Sequence, residues 1–373
     1  EMQEALKVIG GHESYFTGKL EAYLRAKGIA YQNIPFTFEA IQQAATHTGF
    51  FQIPQVQCPD GSWLVDTTPT IAYLDGLHPE PRTSATDPAT NFIALLLEDY
   101  ADEWLWRPAM HYRWSFPDSA ELMSSWLSEH LTEPDVSVAD KKAFFYDRQK
   151  STFVDGDGVT SETRAAVEAS YHQALYALEG IFERRDFILG DRPTQADFGF
   201  MGHMFRHFFC DPDPAKVMRS IAPGVQEWVA RMWNMRPGRF ATAAHIKAVP
   251  TDLDELLEPM ATVYLPYLLA NESAVLAQEP QVSYQVQGVA WTEPTKPYRL
   301  WCLDQLRRNY QGLDDDARAR VANALGGSEA VQSLSMSPSG RADHLIGDLP
   351  YPANAGARIP NDSWGRQTQA EVS

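Results

Sequence analysis

The chain has 373 residues, of which 44% are hydrophobic and 21% charged, which is the composition of a globular protein with room for two domains and a further segment. A formal net charge of −18 repels phosphate backbones and anionic lipid surfaces, and no apolar run approaches the ~20 residues of a membrane-spanning helix, so nucleic acid and membrane are not expected partners. Cys58, Cys210 and Cys302 fit neither a paired-disulfide framework nor a zinc site of closely spaced pairs; a reducing, cytoplasmic setting is expected, and the sequence from Glu1 shows no signal peptide.

Residues 5–10, ALKVIG, read as a short buried strand that runs into a loop at Gly10 and Gly11. Phe16, Leu20, Tyr23 and Leu24 then recur on one helical face, and Gly28 is the stop signal. The segment IAYQNIPF supplies a second strand, which makes a βαβ unit with parallel strands. FFQIPQVQCPDGSWLVD reads as two short strands joined by a turn at Pro59, Asp60 and Gly61. Pro54 inside the first of these demands an edge position or a cis bond. With a helix through TIAYLDGL, residues 1–78 have the strand and helix order of a thioredoxin-like α/β domain.

Residues 79–89 contain the Pro-, Ser- and Thr-rich stretch of a linker. Beyond it the pattern is all-α to about residue 245: Phe92, Leu95, Leu96, Tyr100 and Trp104 share one helical face, and so do Val167, Tyr171, Leu175, Leu178 and Phe182. Residues 246–373 form an extension. In it Leu253, Leu256, Met260, Val263 and Tyr267 have helical spacing that Pro259 and Pro266 should kink or break. Val282, Tyr284 and Val286 alternate like a strand, a helix is expected around 298–310, and Asp314 is placed to cap another that ends near Gly326. From 327 onward the Ser-, Gly-, Pro- and Asn-rich sequence predicts an extended or mobile tail.

Three segments of the first domain carry the chemistry: SYFTGKLEAYLRAKGI at 14–29, QIPQV at 52–56 and DTTPTIAYLD at 66–75. In this order they resemble the glutathione transferase family, of the theta-like and omega-like classes that place a Ser or Cys at the start of the first helix. The resemblance implies Ser14 as the catalytic hydroxyl, whereas tyrosine-type classes place theirs near the position of Gly10. A hydroxyl at a helix N-terminus, beside free N–H groups and the positive end of the macrodipole, stabilises a thiolate. A thiol pKa lowered by ~2 units corresponds to ~2.7 kcal/mol and makes most of the thiol nucleophilic at neutral pH. Read without the other two segments, Ser14 is simply an N-cap.

By the same resemblance Ile53, ahead of a cis Pro54, pairs its backbone with the cysteinyl part of glutathione as an added strand would, and Gln52 touches the peptide. Asp66 takes the γ-glutamyl ammonium, and Thr67 at a helix start takes its carboxylate. The family's contact to the glycyl carboxylate has no evident match among Gln42, Gln43 and His47. In the second domain FILGDRPTQADFGFMGHM, residues 187–204, matches the family's buried helix, with Thr194 and Asp197 at capping-box spacing.

His203 and His207 lie four apart but lack the glutamate of a metalloprotease motif, so they read as packing histidines, and VDGDGV at 154–159 reads as a turn and not a calcium loop. Trp104, Trp106, Tyr112 and Trp114, with Tyr15, serve either as core or as the wall of a pocket for an apolar electrophile. The function implied is a transferase that activates glutathione, as cosubstrate and without a metal, for attack on a small electrophile in a homodimer; peroxide reduction and dehalogenation are variants of that chemistry. The alternative is a non-catalytic ligand-binding or assembly module on the same fold. The aromatics Trp291, Tyr298, Trp301 and Tyr310 predict that residues 246–326 dock, on their own subunit or on a partner, as a lid or as an assembly arm.

Overall fold

The computed structural model describes residues 5–130 and 135–353. The first domain holds β1 (Leu6–Gly10), α1 (Tyr15–Lys27), β2 (Tyr31–Pro35), α2 (Phe38–Thr48), β3 (Gln55–Gln57), β4 (Trp63–Val65) and α3 (Thr67–Leu77). The sheet order is β2-β1-β3-β4, with β1 parallel to β2 and antiparallel to β3, and β4 antiparallel to β3. The helix α1 starts at the cap Ser14 and stops at Gly28, whose φ of 70° is open to glycine without steric cost. It is buried over most of its surface because it packs on α3 of its own domain and on the helical domain.

The second domain runs α4 (Pro88–Glu103), α5 (Trp106–Ser115), α6 (Pro117–His130), α7 (Val138–Phe153), α8 (Arg164–Phe182), α9 (Gln195–His203), a π-helical turn Met204–Phe209, α10 (Pro212–Ile221), α11 (Pro223–Trp233) and α12 (Pro237–Phe240). Asp87 caps α4, accepting from the Thr90 N–H at 2.9 Å, and Pro88 opens the helix where no N–H is needed. The capping box of Thr194 and Asp197 is formed, and Asp197 also accepts from the Ile188 N–H at 3.0 Å and the Trp228 indole at 3.3 Å. Every residue of α9 is buried. At Gly199 a β-carbon would lie 2.8 Å from the Glu98 Cα, so glycine is what lets α4 and α9 pack this closely.

The extension holds α13 (Asp254–Pro259), α14 (Leu265–Leu276), β5 (Gln281–Val286), β6 (Val289–Pro294), α15 (Pro297–Gln311), α16 (Asp315–Ala324) and α17 (Gln332–Ser335). The helical run is irregular where the two prolines stand, as expected: α13 ends at Pro259, Pro266 is the second residue of α14, and a π-helical turn, Met260–Tyr264, bridges them. β5 and β6 form a hairpin around Gln287 and Gly288, both at positive φ. Asp314 caps α16 by accepting from the Ala317 N–H at 2.8 Å.

The extension docks on its own chain along α4: Phe92 meets Tyr310 at 5.4 Å, Tyr100 meets Tyr264 at 5.8 Å, and Trp104 lies 5.5 Å from both Tyr267 and Trp291. The tail after 327 differs from its expectation as far as it is described. Val331, Leu334, Leu345, Ile346 and Tyr351 are buried, and the Tyr351 backbone exchanges hydrogen bonds with Trp63 of β4 at 2.9 and 2.8 Å. Scattered apolar residues without a period give no sequence signal; packing on α15 and, at Tyr351, pairing with the edge strand β4 order them. Residues 354–373, which share the tail expectation, lie outside the described residues. Among the described residues no helix is long and apolar enough to cross a membrane.

Candidate functional site

Strand register assembles the site. Ile9 pairs with Gln55, and Gln55 with Val65. One step towards the same sheet end places Gly10, Pro54 and Asp66 in a single row, with neighbouring strands ~4.8 Å apart. Ser14 follows β1 by a tight turn in which its N–H donates to the Gly11 carbonyl at 3.0 Å, so it belongs to the same end of the sheet.

Ser14 is half-buried, and its Oγ accepts from the Thr17 N–H at 3.2 Å, which leaves the hydroxyl hydrogen to donate. The Ile53–Pro54 bond is cis. The loop leading to it is held by a residue the sequence reading passed over: buried Gln55 donates to the carbonyls of Phe50 at 2.7 Å and Gln52 at 3.0 Å while accepting from the Thr48 hydroxyl at 2.7 Å. Ile53 and Gln52 are half-buried beside it. Of the three glycyl-end candidates, Gln42 and Gln43 are exposed, and His47 stacks on Trp63 at 5.3 Å.

Asp66 has φ 61° and ψ 124°, outside the regions an L-residue ordinarily occupies, a conformation that typically costs ~1–3 kcal/mol and persists only where its surroundings hold it. Its Oδ1 accepts from the Thr68 N–H at 3.3 Å. Its Oδ2 accepts from the hydroxyl of Tyr298, which belongs to α15. Burial pushes the Asp66 carboxyl up to about 6, against the pull of the Tyr298 hydrogen bond and of Lys19. Thr67 is buried at the start of α3. Its neighbour Thr68 carries the side-chain bonds, accepting from Lys19 Nζ at 3.0 Å and lying 3.3 Å from both Glu98 and Asp102.

Tyr15, Trp104, Trp106, Tyr112 and Trp114 are all buried. The Tyr15 hydroxyl donates to the Ala101 carbonyl at 2.5 Å, and burial, with Asp102 and Glu103 nearby, raises it well above the usual phenol range. Trp104 lies under the Arg107 guanidinium at 4.2 Å, Tyr112 packs between Phe116 and Tyr171, and Trp114 meets Tyr146 edge-on. Trp106 stacks on half-buried Phe16 of α1 at 5.6 Å and donates its indole N–H to Asp157 at 3.0 Å.

A set of buried charges was missed because each sits in an ordinary helix, strand or turn and its partner is far along the chain. Lys19 pairs with Glu98 at 2.7 Å and with Asp102. Arg107 pairs with Glu293 of β6 at 2.7 Å, Arg299 with Glu103 at 2.9 Å, and Lys296 with Asp157. The 154–159 segment is a turn, as read, yet its Asp157 anchors the extension: burial opposes its charge, but Lys296, Arg299 and Arg107 hold it down to about 2. His203 packs against Tyr15, Phe200 and Phe208, and burial lowers it to about 3; His207 Nδ1 is 3.1 Å from the Ala109 carbonyl. Among the described residues no cluster of His, Cys, Asp and Glu is arranged to hold a metal ion.

A small mixed sheet domain with a cis-proline loop, followed by a helical domain with a capping box at its buried helix, is the glutathione transferase fold, here enlarged by a mainly helical extension. Comparison with family models agrees: residues 138–235 match the glutathione S-transferase C-terminal domain. Among solved structures the chain is similar to a glutathione S-transferase of Rhodospirillum rubrum F11, with 17% identity and a TM-score of 0.42 over 67% of this chain and 99% of that one. It is also similar to a β-etherase of Sphingobium sp. strain SYK-6, with 17% identity and a TM-score of 0.44 over 63% and 96%. A glutathione S-transferase of Methylobacterium radiotolerans JCM 2831, in complex with glutathione sulfonate, shows 16% identity and a TM-score of 0.39 over 66% and 97%. No curated protein gives a significant match.

Proposed function

We propose that the chain is a glutathione transferase of the serine-containing, theta-like or omega-like kind, in which Ser14 stabilises the thiolate of bound glutathione for attack on an apolar or aromatic electrophile. The observation that carries this reading is the row of Gly10, cis Pro54 and Asp66 with the capping hydroxyl of Ser14 at the same sheet end. A peptide thiol laid along the Gln52–Pro54 edge would meet backbone acceptors and donors as an added strand does. Its thiol would then face a hydroxyl at a helix N-terminus, where the macrodipole favours the anion. The electrophile would approach beside Phe16, whose ring backs onto Trp106, and conjugation, dehalogenation and peroxide reduction share this first step.

The test is a thiolate absorbance titration with glutathione, beside calorimetry. Saturable binding at millimolar concentrations with a thiol pKa lowered in the wild type but not in Ser14→Ala supports the reading, and no binding refutes it. A second reading, a ligand-binding or assembly module without turnover, draws support from the hydroxyl of Tyr298 on Asp66. It is separated from the first by saturable binding of glutathione without any rate enhancement towards aromatic halides, peroxides or epoxides.

A further inference from the structure

Asp66 stands at the end of the row where a ligand's amino group would be read, and among the described residues no lysine, arginine or histidine forms an ion pair with it. Its carboxylate is engaged by an N–H on one oxygen and by the Tyr298 O–H on the other. A phenol donates to a carboxylate as an ammonium does, and it brings no charge. The hydroxyl therefore stands in for the cation the acid would otherwise attract.

The flanks of Tyr298 decide whether this is a lid or a wall. Two residues before it, Lys296 pairs with Asp157 in the interior, and its backbone is clamped by Asn271, which accepts from its N–H at 2.9 Å and donates to its carbonyl at 2.9 Å. One residue after it, Arg299 pairs with Glu103 at 2.9 Å and donates to the Tyr267 hydroxyl at 2.8 Å. Its own ring stacks on Trp301 at 5.5 Å. Swinging the tyrosine away would separate charges that already have partners in a dry interior, so it is held as a fixed part of the wall.

We infer that Tyr298 is a specificity-determining residue of this site: it takes the carboxylate oxygen that a free ammonium would need, so the site selects thiol peptides without requiring a charged amino end. The inference rests on the thiol-peptide reading of the Ser14 row given above. Its chemistry is one of recognition only. A γ-linked thiol peptide whose amine is acylated loses nothing here, because the acid it would have met is already satisfied.

The probes are glutathione and N-acetylglutathione, titrated calorimetrically at pH 8 into the full chain, into Tyr298→Phe, which removes only the hydroxyl, and into Tyr298→Ala, which also opens the space. The wild type should bind the two peptides within about threefold of each other. The preference for glutathione should rise in Tyr298→Phe and reach about tenfold or more in Tyr298→Ala, and it should vanish again in Tyr298→Ala combined with Asp66→Asn. If the alanine variant does not fold by circular dichroism, the phenylalanine variant carries the test. A wild type that already prefers glutathione by about tenfold, with the preference unmoved by either substitution, overturns the inference and leaves the thiol-peptide reading standing. Binding of neither peptide to any of the proteins overturns both.

Discussion

The helix α4 has two working faces, and they bind the rest of the molecule with the same chemistry. Towards the sheet domain, Glu98 and Asp102, one turn apart, converge on Lys19 of α1. Towards the extension, Asp99 and Glu103, also one turn apart, take the Tyr264 hydroxyl at 2.5 Å and Arg299 at 2.9 Å. The first face joins the two domains that share the transferase fold; the second joins a segment that the sequence marks as an appendage. The extension is therefore attached as a domain is. Its docking is not only a matter of covering aromatic rings: Glu103 of α4 and Arg107 of α5 have their ion pairs only when it is in place.

The largest test of this equivalence is a chain ending at residue 245. It would leave Arg107 and Glu103 without their ion-pair partners and Trp104 uncovered, and several such losses together are comparable to the ~5–15 kcal/mol that stabilises an ordinary domain. The expected outcome is insoluble or unfolded protein, judged by circular dichroism and gel filtration. A soluble chain with unchanged melting temperature would show that the second face is decoration.

Single pairs come next. Removing one member of a buried pair typically costs ~3–5 kcal/mol, so Arg107→Met, which strands Glu293, and Lys19→Met, which strands Glu98 and Asp102, should both fall in or above that range in urea unfolding. Lys19→Met should be the worse because it leaves two carboxylates. In Arg107→Met with Glu293→Met, most of the loss should return. If the double variant is no better than the single one, the pair is not what couples the extension to α5.

Asp99 gives a pH signature to the second face. Burial, with Glu103 beside it, pushes its carboxyl up to about 7. The native state then holds a proton that the unfolded chain has released above about pH 4, so this group's contribution to stability falls as pH rises from about 4 to about 7 and is level above that. Asp99→Asn removes the titration. The stability of this variant relative to wild type should climb across that window by on the order of 4 kcal/mol, measured by urea unfolding at each pH. A constant difference would mean that the carboxyl is not strained by its burial.

The smallest effect belongs to the Ser14 side of the molecule. Ser14→Ala removes a helix cap and should cost ~1 kcal/mol of stability, no more than one cap normally supplies. If Ser14 serves a bound thiol, turnover at neutral pH should drop by about tenfold to a hundredfold while glutathione affinity barely changes, because the hydroxyl favours the thiolate over the thiol. Unchanged kinetics would move the chemistry to a backbone N–H at the start of α1.

Local signals made the first domain legible. Gly28, Ser14 and the DTTP segment each point to a backbone conformation by themselves: a positive φ, a cap, a helix start; at Pro54 the sequence left an edge position or a cis bond, and the structure has the cis bond. In the second domain α4, α8 and α9 followed from period and caps, and in the extension so did α16, from Asp314, and the strand Val282, Tyr284 and Val286. What the chain could not announce were contacts between residues far apart. Asp66 looks alike in sequence whether it faces solvent, a ligand or Tyr298, which lies 232 positions on. Trp104, Trp106, Tyr112 and Trp114 have the same spacing in a core as in a pocket wall, and nothing in EDYADE tells that its acids meet Lys19, Tyr264 and Arg299. A period of 3.6 states which residues share a face, but only the tertiary structure decides what that face meets, because burial and charge pairing are properties of the neighbours and not of the segment.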